Sequence, residues 1–427
     1  MLRSHRLANW LGAGSLCLAN RLGAGSLFVV AVAIAAPAFA HHGAGTFELG
    51  KTVSYPKAKL TKVEFLNPHG WLYFETTENG KVMKHRCELR SAHTLRRSGW
   101  SPELFKTGDI VDITASPDRA DPASCYLQTV LWANGSRMDR YGQYVKAGGT
   151  VKEVRGQANA VNLLNRPARR PSGEPNITGD WAPEQVVMRD PRGVGGGLVR
   201  LSTVGERPAE TPPQARAGGA APAAAPRGGG AAGGGRGRGA GGPRMFNGAE
   251  LTERAIKEAD AMTPADNPRF KCETTSIIFD WTFDGPVNRI TQNRNDIVIE
   301  YGQLNLKRTI HMNMKQHPAN IKPTRAGHSI GRWEGDTLVV DTVGFLPGIL
   351  NGNTRHGEKL HVVERFTLDP KTWELKRTWE AEDPDYLKGK ASATNEVPVL
   401  PADAPYTRDE CKEQKDLDYS KVTGQKK

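Results

Sequence analysis

The chain is 427 residues long, with 58 Lys and Arg against 46 Asp and Glu, a formal charge of +12, 38% hydrophobic residues, 47 Gly and 28 Pro. Counted with its glycines, the apolar share is ordinary for a globular protein and excludes wholesale disorder. A length near three times about 150 residues predicts two or three domains. A single stretch is apolar enough to weigh as a membrane element, which excludes a multipass membrane protein.

That stretch, residues 27–36, follows Arg3, Arg6 and Arg21 and precedes Ala38-Phe39-Ala40, an A-x-A cleavage signal. It is well short of the roughly 20 residues a spanning helix needs, so residues 1–40 read as a secretory signal peptide and the mature protein as exported to the periplasm. Leu16 just before Cys17 does not suit a lipoprotein signal. The repeat of residues 7–16 at 18–27 reads as a coding duplication without function. Cleavage removes three Arg and lowers the charge to +9, and residues 216–244 hold five more Arg with no acid. The folded parts are left near +4, so the basic balance belongs to a linker and implies no broad nucleic-acid surface.

Four Cys remain, Cys87, Cys125, Cys272 and Cys411, with no C-x-x-C pair. An even number in an oxidising compartment predicts disulfides. Two precede the Arg/Gly-rich segment and two follow it, which points to Cys87 with Cys125 and Cys272 with Cys411.

In chain order, 59–65 and 71–75 read as strands, and Asn79-Gly80 turns the second into 82–89. Ser91 caps a short helix to residue 98, with Leu95 inward and the Arg96-Arg97 pair outward. Strands follow at 110–115 and 126–132. Three strands, a helix and two strands is the order of a five-stranded OB-type barrel, in which strands three and five can close the wall and bring Cys87 to Cys125. Residues 41–140 are therefore assigned to an OB-like domain and 141–174 to a linker. The segment 206–248 is a Gly/Ala/Arg/Pro-rich disordered linker, and excision of residues 217–243 is expected to leave the fold and thermal midpoint nearly unchanged. Residues 251–262 read as a helix. Beyond residue 270 come strands at 276–283, 287–292, 297–301, 307–312, 329–333, 337–342, 360–367 and 374–380, with Glu334-Gly335-Asp336 closing a hairpin. Regular short strands predict an antiparallel barrel over 249–420, its first strand supplied by 175–205, with 421–427 a tail. The fold class is thus mainly all-β.

Gly327-His328-Ser329-Ile330-Gly331 spells the G-x-S-x-G elbow of α/β-hydrolases, with Asp336, Asp341, His356 and His361 nearby. The elbow requires a strand turning into a helix, and here a hairpin follows, so small residues shaping a strand edge are the favoured reading. Trp71 and Tyr73 alternate on a strand as a base-stacking platform would, yet an exported protein meets little nucleic acid and such aromatics are usually core. Gly179-Asp180-Trp181 matches the G-x-W that opens lipocalin-type barrels, with Arg377 or Arg365 as candidate cation–π partner of the Trp. Cleavage after Ala40 exposes His41 with a free amine beside His42. With His69 as a third nitrogen, that set suits Cu(II).

Two resemblances accompany these motifs. The Ala40-His41-His42 start, Asn67-Pro68-His69-Gly70-Trp71 and Leu95-Arg96-Arg97-Ser98-Gly99-Trp100 resemble a domain of unknown function in exported Gram-negative bacterial proteins, over about 41–140. Residues 327–345, from Gly-His-Ser-Ile-Gly-Arg-Trp-Glu-Gly-Asp through Val-Gly-Phe, with His361-Val-Val-Glu-Arg-Phe, resemble an uncharacterised C-terminal β module of exported proteins, over about 175–420. That module usually opens with a G-x-W strand, and this chain departs from it in the Arg/Gly-rich insertion. Both imply location and a β fold and supply no substrate. The functional expectation is a noncatalytic, small-ligand-binding or envelope-accessory protein. Copper binding at the mature N-terminus and an unrecognised hydrolase are the alternatives, and oligomeric state is left open.

Overall fold

The computed structural model describes residues 47–67, 69–119, 121–141, 144–145, 167–188, 198–200, 243–263, 266–409 and 411. The expected leader, His41, His42 and residues 206–242 lie outside the described residues.

The N-terminal strands are β1 (Val53–Glu64), β2 (Trp71–Glu78), β3 (Lys81–Glu88), β4 (Ile110–Pro117) and β5 (Ser124–Trp132), with α1 (Ala92–Arg97) after β3. Neighbours run β3-β2-β1-β4-β5, and β5 closes onto β3 in parallel, giving the expected five-stranded OB-type barrel. Asn79 and Gly80 both have positive φ (51° and 76°), the conformation a two-residue hairpin loop demands. Leu60, Leu72, Phe74, Leu95, Trp100, Ile113 and Leu127 form the core. At the closing seam Cys87 stands opposite Cys125, and the two are bonded.

The C-terminal barrel is built from β6 (Gly179–Pro183), β7 (Asn288–Gln292), β8 (Asp296–Glu300), β9 (Lys307–His311), β10 (His328–Glu334), β11 (Thr337–Val343), β12 (His361–Leu368), β13 (Leu375–Glu382) and β14 (Val399–Pro401). The order β12-β11-β10-β9-β8-β7-β6-β14-β13 closes where β12 pairs with β13. The strand before the Arg/Gly-rich segment, β6, sits in this wall between β7 and β14. The wall is antiparallel except between β9 and β10, where Ile310 faces Ser329 in parallel register. A parallel pair needs a long return, and residues 312–327 supply it as a crossover.

Some elements differ from expectation. Residues 276–283 form no strand. Phe279–Trp281 is a 3-10 turn, in which buried Asp280 accepts the Thr275 N–H and the Ser276 hydroxyl accepts from Phe279 N. Residues 243–248, placed in the linker, are ordered at the entry to a hairpin of Met245–Phe246 with Ala249–Leu251, where Phe246 is buried. The helix that follows, α2 (Glu253–Ala261), is capped by the Thr252 hydroxyl accepting from Ala255 N.

Arg97 does not face outward. Its guanidinium crosses to the C-terminal barrel, donating to Asp403 Oδ1 at 2.7 Å, Gly285 O at 3.0 Å and Pro183 O at 2.7 Å. Thr94 donates to Asp284 O, and Arg90 pairs with Asp284 at 3.2 Å. The Asn67 side chain donates to Asp409, which in turn accepts from Leu304 N at 2.7 Å. The Cys272–Cys411 bond secures this tail, and the Cys411 sulfur lies 3.3 Å from the Asn67 carbonyl oxygen.

Candidate functional site

The β10 residues alternate across the wall, so His328 and Ser329 emerge on opposite sides. Ser329 is 1% exposed and points inward. Its oxygen accepts from Arg308 Nε at 2.9 Å and lies 3.0 Å from the Thr342 hydroxyl. Arg308 also donates to Glu364, which takes a second guanidinium from Arg377 at 3.2 Å. Arg377 further pairs with Glu396 at 2.7 Å and stands over Trp281, 5.4 Å from the ring centroid. A serine held this way by an arginine, in mid-strand with no helix following, lacks the exposure and the general base that a nucleophile needs. The two glycines of the motif answer to geometry. Gly327 has φ +68° with Thr342 Cγ2 2.7 Å from where a Cβ would stand. A Cβ on Gly331 would meet Ile310 and Met312 at 2.6 Å across the parallel seam.

The barrel interior is occupied by its own side chains. Trp181, Trp281, Tyr301, Phe366 and Arg308 are all fully buried, and Trp281 meets Tyr301 and Phe366 edge-on. Trp181 of the G-x-W strand donates its indole N–H to Ile177 O. Of its two candidate cation partners, Arg377 lies over Trp281 and Arg365 is exposed. Gly179 has φ +139°, and Asp180 beside it is clamped by Arg289 at 2.7 and 2.9 Å.

The outer face carries the chemistry. His328, Asp341 and His361 project outward from β10, β11 and β12, and His317 reaches over them from the crossover. His317 Nε2 and His361 Nε2 lie 3.1 and 3.0 Å from the same oxygen, Asp341 Oδ1. His317 Nδ1 lies 2.9 Å from His328 Nδ1. His311 on β9 is held by Asp296 at 2.9 Å, with its ring 5.2 Å from that of His328. The hydrogen bond from His361 and the two neighbouring imidazoles hold the Asp341 carboxyl below the usual carboxylate range, and that same bond raises His361. Burial, with His317 and His311 alongside, pushes His328 down, which keeps it neutral near neutral pH. Among the described residues, no group of three His, Cys, Asp or Glu is arranged to hold a metal ion. Here both His317 nitrogens, His328 Nδ1 and His361 Nε2 are committed to one another and to Asp341, and His311 Nδ1 to Asp296.

His328 also lines a cleft of about 380 Å³ where β9 and the end of the crossover part. Lys307, Arg308, Thr309, His311, Thr324, Arg325 and His328 are its polar lining residues; no Asp or Glu is among them, and Glu273 and Asp296 pair with Arg325 and His311 at 2.9 Å each. The volume lies within the range of small-molecule sites.

The other sequence candidates lie elsewhere. Trp71 is buried beneath Arg86, and the Tyr73 hydroxyl donates to Glu64, so these rings form no open stacking platform. Burial and that contact push Tyr73 up to about 12. His69 Nδ1 lies 2.7 Å from Glu88 Oε1, and its ring tilts against Phe270 of the C-terminal barrel at 5.9 Å. The third candidate copper ligand is therefore engaged where the barrels meet.

Among the described residues no helix is long and apolar enough to cross a membrane. The two disulfides fit an oxidising compartment. No curated protein and no solved structure gives a match to the chain. Residues 29–125, which include most of the N-terminal barrel, match a family of unknown function, DUF6152, so this part of the chain is similar to that family.

Proposed function

We propose that the protein is a noncatalytic accessory protein of the cell envelope that binds a small anionic ligand in the cleft between Lys307 and His328. The observation that carries this reading is the cleft's lining: Lys307 supplies positive charge, Arg325 adds a guanidinium already paired with Glu273 at 2.9 Å, His311 and His328 supply imidazole nitrogens, and no carboxylate is among the lining residues. Fixed cations in a concave site concentrate and retain anions. A filled barrel interior favours a site on the wall over the central cavity expected of a lipocalin-like protein. The buried setting of Ser329 favours binding over hydrolysis. The copper reading is the alternative: His69 Nδ1 rests against Glu88, which leaves Nε2 as the nitrogen it would offer beside His41 and His42.

Calorimetric titration of the mature protein with sulfate and with succinate tests the proposal. Saturable binding of either is expected, weakened at least about tenfold, or roughly 1.4 kcal/mol, in Lys307→Ala and Arg325→Ala. Absence of binding by both anions, or binding indifferent to both substitutions, would overturn it.

A further inference from the structure

We propose that His328 couples anion capture in this cleft to the uptake of a proton at its Nε2, with His317 and Asp341 as positioning residues that keep that nitrogen ready. This rests on the cleft being the binding site, as read above.

With a neutral His317 the hydrogen-bond chain sets where the protons sit. Asp341 Oδ1 has no proton to give and takes one from His317 Nε2. With His317 neutral, its Nδ1 then carries a lone pair, so the 2.9 Å contact requires a hydrogen on His328 Nδ1. With His328 neutral in turn, its Nε2 carries the remaining lone pair. One carboxylate thus dictates the tautomer of an imidazole two steps away.

That tautomer is the one suited to an incoming anion. A proton from solvent adds to the Nε2 lone pair and forms a new N–H donor, while the Nδ1–H bond to His317 stays as it was. The charged and titratable groups around His328 are Lys307 and His311 on β9, His311 being held by Asp296 of β8, then Arg325, paired with Glu273 at 2.9 Å, and His317 on the crossover, Asp341 on β11 and His361 on β12. In the empty cleft the neighbouring imidazoles and burial disfavour an imidazolium at His328. An anion between Lys307, Arg325 and His328 reverses that balance, because its charge stabilises the new N–H.

Proton uptake makes affinity depend on pH, and a site that gains one proton on binding loses up to about tenfold in affinity per pH unit above its free value. Sulfate is the probe, because it does not itself titrate between about pH 6 and 8. Calorimetry of the full mature chain in two buffers of different ionisation enthalpy should show uptake of about one proton per sulfate, falling to near zero in His328→Gln. In His317→Ala, nitrogen-detected spectra should show His328 losing its fixed Nδ1–H tautomer, which a purely structural role for His317 would not cause. Sulfate binding without proton uptake, or with uptake unchanged in His328→Gln, would overturn this coupling and leave the anion cleft standing. Absence of sulfate and succinate binding would overturn both.

Discussion

His328 and Ser329 adjoin in the chain and serve opposite sides of one wall: His328 Nδ1 meets His317 outside at 2.9 Å, and Ser329 Oγ meets Arg308 inside at 2.9 Å. The motif that reads as a nucleophile elbow is divided by strand alternation into two unrelated networks. Ser329→Ala is therefore expected to act on stability. It leaves the buried Arg308 Nε short of an acceptor and should cost about 1–3 kcal/mol in urea denaturation. A serine-directed fluorophosphonate should leave the native protein unlabelled, and labelling at Ser329 would contradict the assignment.

Glu364 lies between Arg308 and Arg377, all three buried. Removing its charge strands two guanidinium groups in the barrel interior. Glu364→Gln should lower the unfolding free energy by about 3–5 kcal/mol, the usual cost of breaking a buried ion pair from one side. A neutral result would mean that water reaches the interior.

The Cys272–Cys411 bond closes a loop spanning 139 positions and holds the tail that carries Asp409 against Asn67. Serine at both positions should cost about 2–5 kcal/mol. It should also expose the junction between the barrels to proteolysis before either barrel is cut. Peptide mapping without reductant should recover Cys87 with Cys125 and Cys272 with Cys411 and no bridge between these pairs.

The Asp341–His361 contact gives stability a definite pH profile. Asp341 is held below its ordinary 3.8, so its contribution is present above that value and is lost as pH falls through its lowered native pKa. His361 is raised above 6.5, so its contribution is present below 6.5 and is lost as pH rises through its raised native pKa. The pair thus acts between about 3.8 and 6.5 and fades at alkaline pH. The difference in thermal midpoint between the wild type and Asp341→Asn should be larger near pH 5.5 than near pH 9, by amounts typical of half-exposed pairs. An equal difference at both values would remove this account of the contact.

Much of the fold was legible because it is written in local signals. The Asn79-Gly80 and Gly335-Asp336 turns fix hairpin registers, and three strands, a helix and two strands is enough to name the first barrel. The misread segment 276–283 is mostly apolar, and periodicity alone cannot tell a strand from a buried turn. Its buried Asp280, accepting the Thr275 N–H, decides the matter. β14 escaped notice because it is three residues long and ends in Pro401. The His cluster was only half legible. The hairpin at Gly335-Asp336 sets Ile330 opposite Asp341 and so places His328 and Asp341 on one face. His317 arrives from an irregular crossover that leaves no periodic trace, and His311 depends on the parallel pairing of β9 with β10. The contact of His69 with Phe270 was not legible, because the sequence does not reveal that the C-terminal part of the chain packs against the turn after Asn67-Pro68.

The central claim, that anion capture in this cleft is coupled to a proton at His328 Nε2, is tested most directly by following the ring nitrogens of His328 in the isotope-labelled protein during a sulfate titration. The account predicts a saturable shift of Nε2 from an unprotonated to a protonated position, with Nδ1 little changed, abolished by Lys307→Ala together with Arg325→Ala. A His328 Nε2 that does not respond to sulfate up to about 100 mM, well beyond the ~1 mM typical of weak specific sites, would contradict it.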